Sequence, residues 1–107
     1  MTGAAMLMTT CGSPEEAATI AQTLVRERLA ACVQRLSVDS VYEWRGALEA
    51  QPEILLLIKT REDLQDKAAA RIRALHSYDT PEIIAAPITF ADASYLAWLK
   101  AQTAQPD

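Results

Sequence analysis

The segment from Ala31 to Thr60, ACVQRLSVDSVYEWRGALEAQPEILLLIKT, constrains the fold more than any other. Its first half alternates. Cys32, Leu36, Val38, Tyr42 and Trp44 are apolar, while Arg35, Ser37, Asp39 and Glu43 between them are polar. A period of two marks a strand with one buried face. Val41 breaks the pattern, so a bulge is expected near it. Arg45-Gly46 supplies a tight reversal, because glycine accepts the positive φ that such a turn needs. The return arm ends in Ile54-Leu55-Leu56-Leu57-Ile58, a run suited to a strand covered on both faces. Pro52 lacks an N–H and should sit at an edge or bend of this ribbon.

Length turns this hairpin into an argument about assembly. An arm of about 14 residues at roughly 3.3 Å each spans about 46 Å. Helices of about 15 residues span only roughly 22 Å. One helical layer leaves the end around Tyr42, Trp44 and Leu48 uncovered, and a bare apolar ribbon needs a partner. Another copy of the same chain is the simplest one.

The rest of the chain places this hairpin in a fold. Ala4–Thr10 reads as a short buried strand. Ser13 then caps a helix, with Pro14 at its first position and Glu16 completing a capping box. Ala17, Ile20, Ala21, Leu24 and Val25 carry that helix to about Leu29. After the hairpin, Thr60 is expected to cap a helix whose stripe is Leu64, Ala68, Ile72 and Leu75. A turn, HSYDTPE, leads into a fourth strand over 83–90, where Pro87 implies a sheet edge. Asp92 caps a terminal helix that packs through Tyr95, Leu96, Trp98 and Leu99, and the residues from Ala101 onward read as a frayed tail.

The order β-α-β-β-α-β plus a terminal helix predicts a ferredoxin-like α+β sandwich in one domain, residues 1–107. Right-handed crossovers interleave the two halves. The first two strands then run one way and the last two the other. Cys11, Trp44, His76, Tyr78 and Glu82 collect at one end of the sheet, and Cys32, Lys59 and Thr60 at the other. A Cys11–Cys32 disulfide is therefore not expected.

Composition narrows the partners. A net charge of −4 argues against a nucleic-acid footprint, and no apolar run is long enough to span a membrane. The first residues lack the basic and apolar regions of a signal peptide, so a cytoplasmic location is expected, with both cysteines free.

Four stretches together carry a resemblance: RLAACV, YEWRG, LLLIKTR, and YDTPEIIAAPI followed by YLAWL. The chain resembles the CutA family, the divalent-cation tolerance proteins, from Met8 to Leu99. The resemblance implies a ferredoxin-like subunit in a tight homotrimer whose long hairpins pair across subunit boundaries. It also implies response to metal ions and copper binding, and a subunit fold similar to that of the trimeric PII signalling proteins. The family's copper ligands map onto Cys11 and His76, while Leu75 stands where the family has a second histidine.

These residues suit the chemistry. A thiolate and an imidazole favour copper or another soft divalent metal over calcium or magnesium. Cys11 precedes a helix N-terminus, which is expected to lower its pKa. Two ligands do not close a site, so water, Glu82, Asp79 or a residue of another subunit would have to help. Trp44, Tyr78, Asp79 and Glu82 also suggest a pocket at a subunit boundary. Against these stand packing roles for Cys11 and Trp44, a helix-end role for His76, and a core role for Cys32.

No nucleophile–base pair with an orienting third group can be named, and only three glycines are present, so an enzyme is not expected. Two alternatives to a metal-tolerance role remain. One is a PII-like trimeric regulator that binds a small metabolite between subunits. The other is a non-catalytic structural or adaptor trimer.

Overall fold

A computed structural model describes residues 1–106. The elements run β1 (Ala4–Cys11), α1 (Pro14–Arg26), β2 (Cys32–Trp44), β3 (Ala47–Arg61), α2 (Gln65–Leu75), β4 (Ile84–Ile88) and α3 (Ala93–Gln102), with a 3₁₀ turn over Glu62–Leu64. The sheet order is β2-β3-β1-β4, and every neighbouring pair is antiparallel. This is the interleaved order expected of the ferredoxin-like sandwich.

The hairpin forms at full length. Residues 32–44 pair one for one with 59–47, from Cys32↔Lys59 to Trp44↔Ala47. No bulge forms at Val41, because the ladder continues through Val41↔Ala50 and Val41 is simply exposed. Arg45 and Gly46 both take positive φ, 52° and 81°, which is the turn that matches strand twist. β1 ends its pairing at Cys11↔Ile54, so everything beyond Ile54 is a two-stranded ribbon. Pro52 lies on that free stretch, where a missing N–H costs no ladder bond. The longest molecular dimension, 45 Å, is set by this ribbon.

The core lies on one face of the sheet. Leu7 and Cys11 of β1, Leu56 and Ile58 of β3, Ile20 and Leu24 of α1, and Ala68 and Ile72 of α2 are all buried together. The alternate residues face the other way. Ile54–Ile58 is therefore not covered on both faces: Leu56 and Ile58 are sealed, whereas Leu55 and Leu57 are half-buried. The even positions of β2 also lie on this second face, and only Val33 packs toward the helices. Cys32 is accordingly half-buried rather than a core cysteine. α3 crosses one end of the second face, where Leu99 meets Ala4 and Ala31. Tyr95 and Trp98 are not on the packed side of α3; both remain about two-fifths exposed.

Several boundaries differ from the sequence pattern for local reasons. α1 stops at Arg26 because Arg28 adopts φ 60°. Arg28 N–H then donates to the Val25 carbonyl and Leu29 N–H to the Leu24 carbonyl, a Schellman closure built without glycine. Thr60 does not cap α2. It remains within β3, buried, and its Oγ1 donates to the Leu29 carbonyl at 2.7 Å. Asp92 does cap α3, accepting from Ser94 N–H. β4 is shorter than expected and leaves Phe90 outside it, exposed. The tail is tied down rather than frayed. Thr103 is buried, and the Arg28 guanidinium donates to the Ala101 and Ala104 carbonyls.

Thr60→Val tests the first of these ties. It keeps the shape but leaves the buried Leu29 carbonyl without this donor, and should cost about 1–3 kcal/mol in denaturant unfolding. An unchanged midpoint would show that the bond contributes nothing.

Candidate metal centre and adjoining cleft

Topology brings two chain segments to one end of the sheet. β1 ends at Cys11, and Ser13 begins α1 by accepting Glu16 N–H on its Oγ at 3.2 Å. α2 ends at Leu75, and His76 follows in extended conformation. The Glu16 side chain does not return to complete a capping box. Its Oε1 accepts from Ser77 N–H at 3.0 Å and lies 3.2 Å from His76 Nδ1. Cys11, Glu16 and His76 each offer one donor atom, and these atoms lie within 4.8 Å of one another.

The imidazole is held tightly and is fully buried. A carbonyl oxygen only accepts, so the 2.8 Å contact with the Thr10 carbonyl places the proton on His76 Nε2. Nδ1 therefore carries the available lone pair. It accepts from Tyr78 N–H at 3.2 Å and faces Glu16. A protonated Nδ1 would instead pair with the Glu16 carboxylate.

The electrostatics run against the sequence expectation for Cys11. Burial, then the charges of Glu16 and Glu53, push its thiol up to about 11, and the helix N-terminus does not offset them. Burial also acts to raise the Glu16 carboxyl. The hydrogen bonds from Ser77, joined by the charge of His76 when the imidazole is protonated, outweigh it and hold that carboxyl below its ordinary range.

Beside this group lies a cleft of about 670 Å³ between the free ribbon and the 78–82 turn. Trp44, Tyr78, Asp79 and Glu82 all line it, so these four sequence candidates do converge. Asp79 and Glu82 do not join the Cys11 cluster. Tyr78 forms the partition: its ring lies 4.8 Å from that of His76, and its hydroxyl donates to Glu53 Oε2 at 2.8 Å. Burial and the bond to Glu53 push the Tyr78 hydroxyl well above the usual tyrosine range. The partition also needs Gly12, since a Cβ there would sit 2.9 Å from the Tyr78 hydroxyl oxygen.

Sequence reasoning missed two participants. Glu16 reads as a helix cap, and Glu53 precedes an apolar run with nothing to single it out. Only strand register brings Glu53 to the end of the sheet where Tyr78 waits.

Comparison with known proteins bears on this arrangement. Residues 5–102 match the family model described as CutA1 divalent ion tolerance protein. The chain belongs to this family. It is 43% identical over 99 residues to the divalent-cation tolerance protein CutA of Thermus thermophilus, covering 92% of this chain and 96% of that one. It is 46% identical over 85 residues to the chloroplastic protein CutA of Arabidopsis thaliana, covering 78% of this chain but only 47% of the plant protein. The solved structure of CutA from Xylella fastidiosa superposes with a TM-score of 0.93 at 38% identity, covering 95% of this chain and 99% of that one. This CutA-family chain thus has the family's fold over nearly its whole length.

Proposed function

We propose that the chain takes up copper, or another soft divalent metal, at Cys11, Glu16 and His76. The observation that carries this is the convergence of thiol, carboxylate and imidazole donors within 4.8 Å. The set suits copper or zinc, and Glu16 occupies the role that Leu75 cannot fill. His76 Nδ1 is the ligating atom, giving up its hydrogen bond from Tyr78 N–H on loading, because Nε2–H is anchored on the Thr10 carbonyl in the manner of an oriented metal-binding histidine. Three protein donors leave a position open for exchange, and Cys11 must lose its proton on loading.

Calorimetric titration with Cu(II), then with Cu(I) under reducing conditions, tests this, with native mass spectrometry counting the metal. One metal per subunit is expected, with affinity at least about tenfold weaker in Cys11→Ala and His76→Ala. Weak, non-stoichiometric binding indifferent to both changes would sink the proposal.

The second part of the proposal is a homotrimer assembled through the long hairpins. The resemblance to the family supports it, and so does the face opposite the helices. There Leu36, Ile84, Tyr95 and Trp98 are two-fifths exposed or more beside half-buried Leu55 and Leu57. On the ribbon, Val41 and Leu48 are about 70% exposed or more. Apolar surface of this extent calls for a partner.

Within this reading the protein is not an enzyme. A cysteine thiol raised to about 11 beside an imidazole is the reverse of an activated nucleophile. The proposal also includes a cytoplasmic location and no nucleic-acid partner. The two free cysteines suit a reducing compartment. No described helix is long and apolar enough to cross a membrane.

A further inference from the structure

We infer that the cleft beside the cluster is a binding site for a small organic cation, an amine or quaternary ammonium, with Glu53 as its counter-ion and the rings of Tyr42, Trp44 and Tyr78 as its walls. This goes beyond the metal reading and does not depend on it.

Glu53 is the reason. It is only 6% exposed, yet it lines the cleft. Its Oε2 accepts one hydrogen bond, from the neutral Tyr78 hydroxyl, and Oε1 has no hydrogen-bond partner among the described residues. Among those residues no lysine, arginine or histidine stands within ion-pair distance of it. The Oε1 oxygen is not sealed from solvent, so it stands open on the cleft to a cation that would pair with it. The nearby basic side chain does not supply one. Arg45, on the rim, lies 5.7 Å from the centroid of the Trp44 ring instead.

The rest of the cleft selects the same kind of ligand. Asp79 and Glu82 add negative charge at the mouth. Within a single chain Tyr42, Trp44 and Tyr78 are each between 36% and 43% exposed, Tyr42 and Trp44 on the ribbon that a neighbouring copy is proposed to meet, and ring faces attract cations. A volume of about 670 Å³ suits a molecule of several heavy atoms rather than a bare ion.

Choline and its neutral isostere 3,3-dimethyl-1-butanol separate charge recognition from simple apolar filling. Calorimetry on the metal-free full chain should give saturable choline binding, one per subunit, with the neutral alcohol at least tenfold weaker. Glu53→Gln should weaken choline at least tenfold. Trp44→Leu should weaken it severalfold and serves where Glu53→Gln fails to fold. Equal binding of the alcohol, or choline binding indifferent to both substitutions, would overturn the inference. So would a complete absence of binding with Glu53→Gln dissociating the oligomer. In that case the missing cation is a basic side chain of a neighbouring copy.

Discussion

Leu57→Lys should convert the assembly into monomers. Leu57 sits at the middle of the sheet on the face that α1 and α2 do not cover, paired with Met8 on one side and Gln34 on the other. It is only half-buried within a single chain, so a lysine there can run its stem along the sheet and keep its ammonium in water. The subunit should therefore fold. Between subunits the same ammonium would be trapped without a partner, which is costly enough to abolish association. Light scattering behind size exclusion should show a mass near one third of the wild type. The proposed wild-type trimer should melt above the range of about 45–65 °C usual for mesophile domains, and the variant should melt on the order of 20 °C lower. Leu57→Met conserves volume and should remain trimeric. A Leu57→Lys protein that keeps both mass and melting point would show that this face is not the interface.

That experiment tests an expectation drawn from arm length. The ribbon's overhang was readable because strands and helices have fixed rises, and the observed 13- and 15-residue arms bear it out. Periodicity was a weaker guide to direction. Alternation in β2 identifies two faces but not which one meets the helices, and Val33 rather than Cys32 or Leu36 packs inward. The apolar side of β2 is the side that the helices leave open, which is the side the proposed assembly would cover. The end of α1 was hidden for another reason. Its left-handed residue is Arg28, where glycine would have announced the stop. Thr60 likewise looked like a helix cap only because its true acceptor, the Leu29 carbonyl, is 31 residues away in sequence.

The site was legible to the extent that topology fixes it. Strand directions alone placed Cys11, Trp44, His76, Tyr78 and Glu82 at one end, and all five line the cluster or the cleft. The side-chain partners were not legible. Whether Glu16 returns to its own helix start or reaches Ser77 depends on where the turn after α2 lies. The sign of the Cys11 shift depends on burial and on two carboxylates, only one of which is near in sequence.

That sign has a measurable consequence at alkaline pH. The Cys11 thiol titrates near 11 in the folded chain, against 9.0 for an unperturbed thiol. Below pH 9 both folded and unfolded chains hold the proton, and the contribution to stability is complete. Above it the unfolded chain releases the proton while the folded chain retains it. Stability then falls with rising pH until the folded thiol also ionises near 11. At about 1.4 kcal/mol per pH unit, this window removes about 2–3 kcal/mol, or roughly a hundredfold in the folding equilibrium. Tyr78 also titrates late, so its loss overlaps the upper part of the window. The difference between wild type and Cys11→Ala isolates the thiol. Denaturant unfolding of both proteins, metal-free and at one protein concentration, should converge as pH rises from 8 to 11. Parallel curves would mean that Cys11 meets water more freely than its burial implies. Metal loading should abolish this decline, because a coordinated Cys11 has already given up its proton and, above pH 9, so has the unfolded chain.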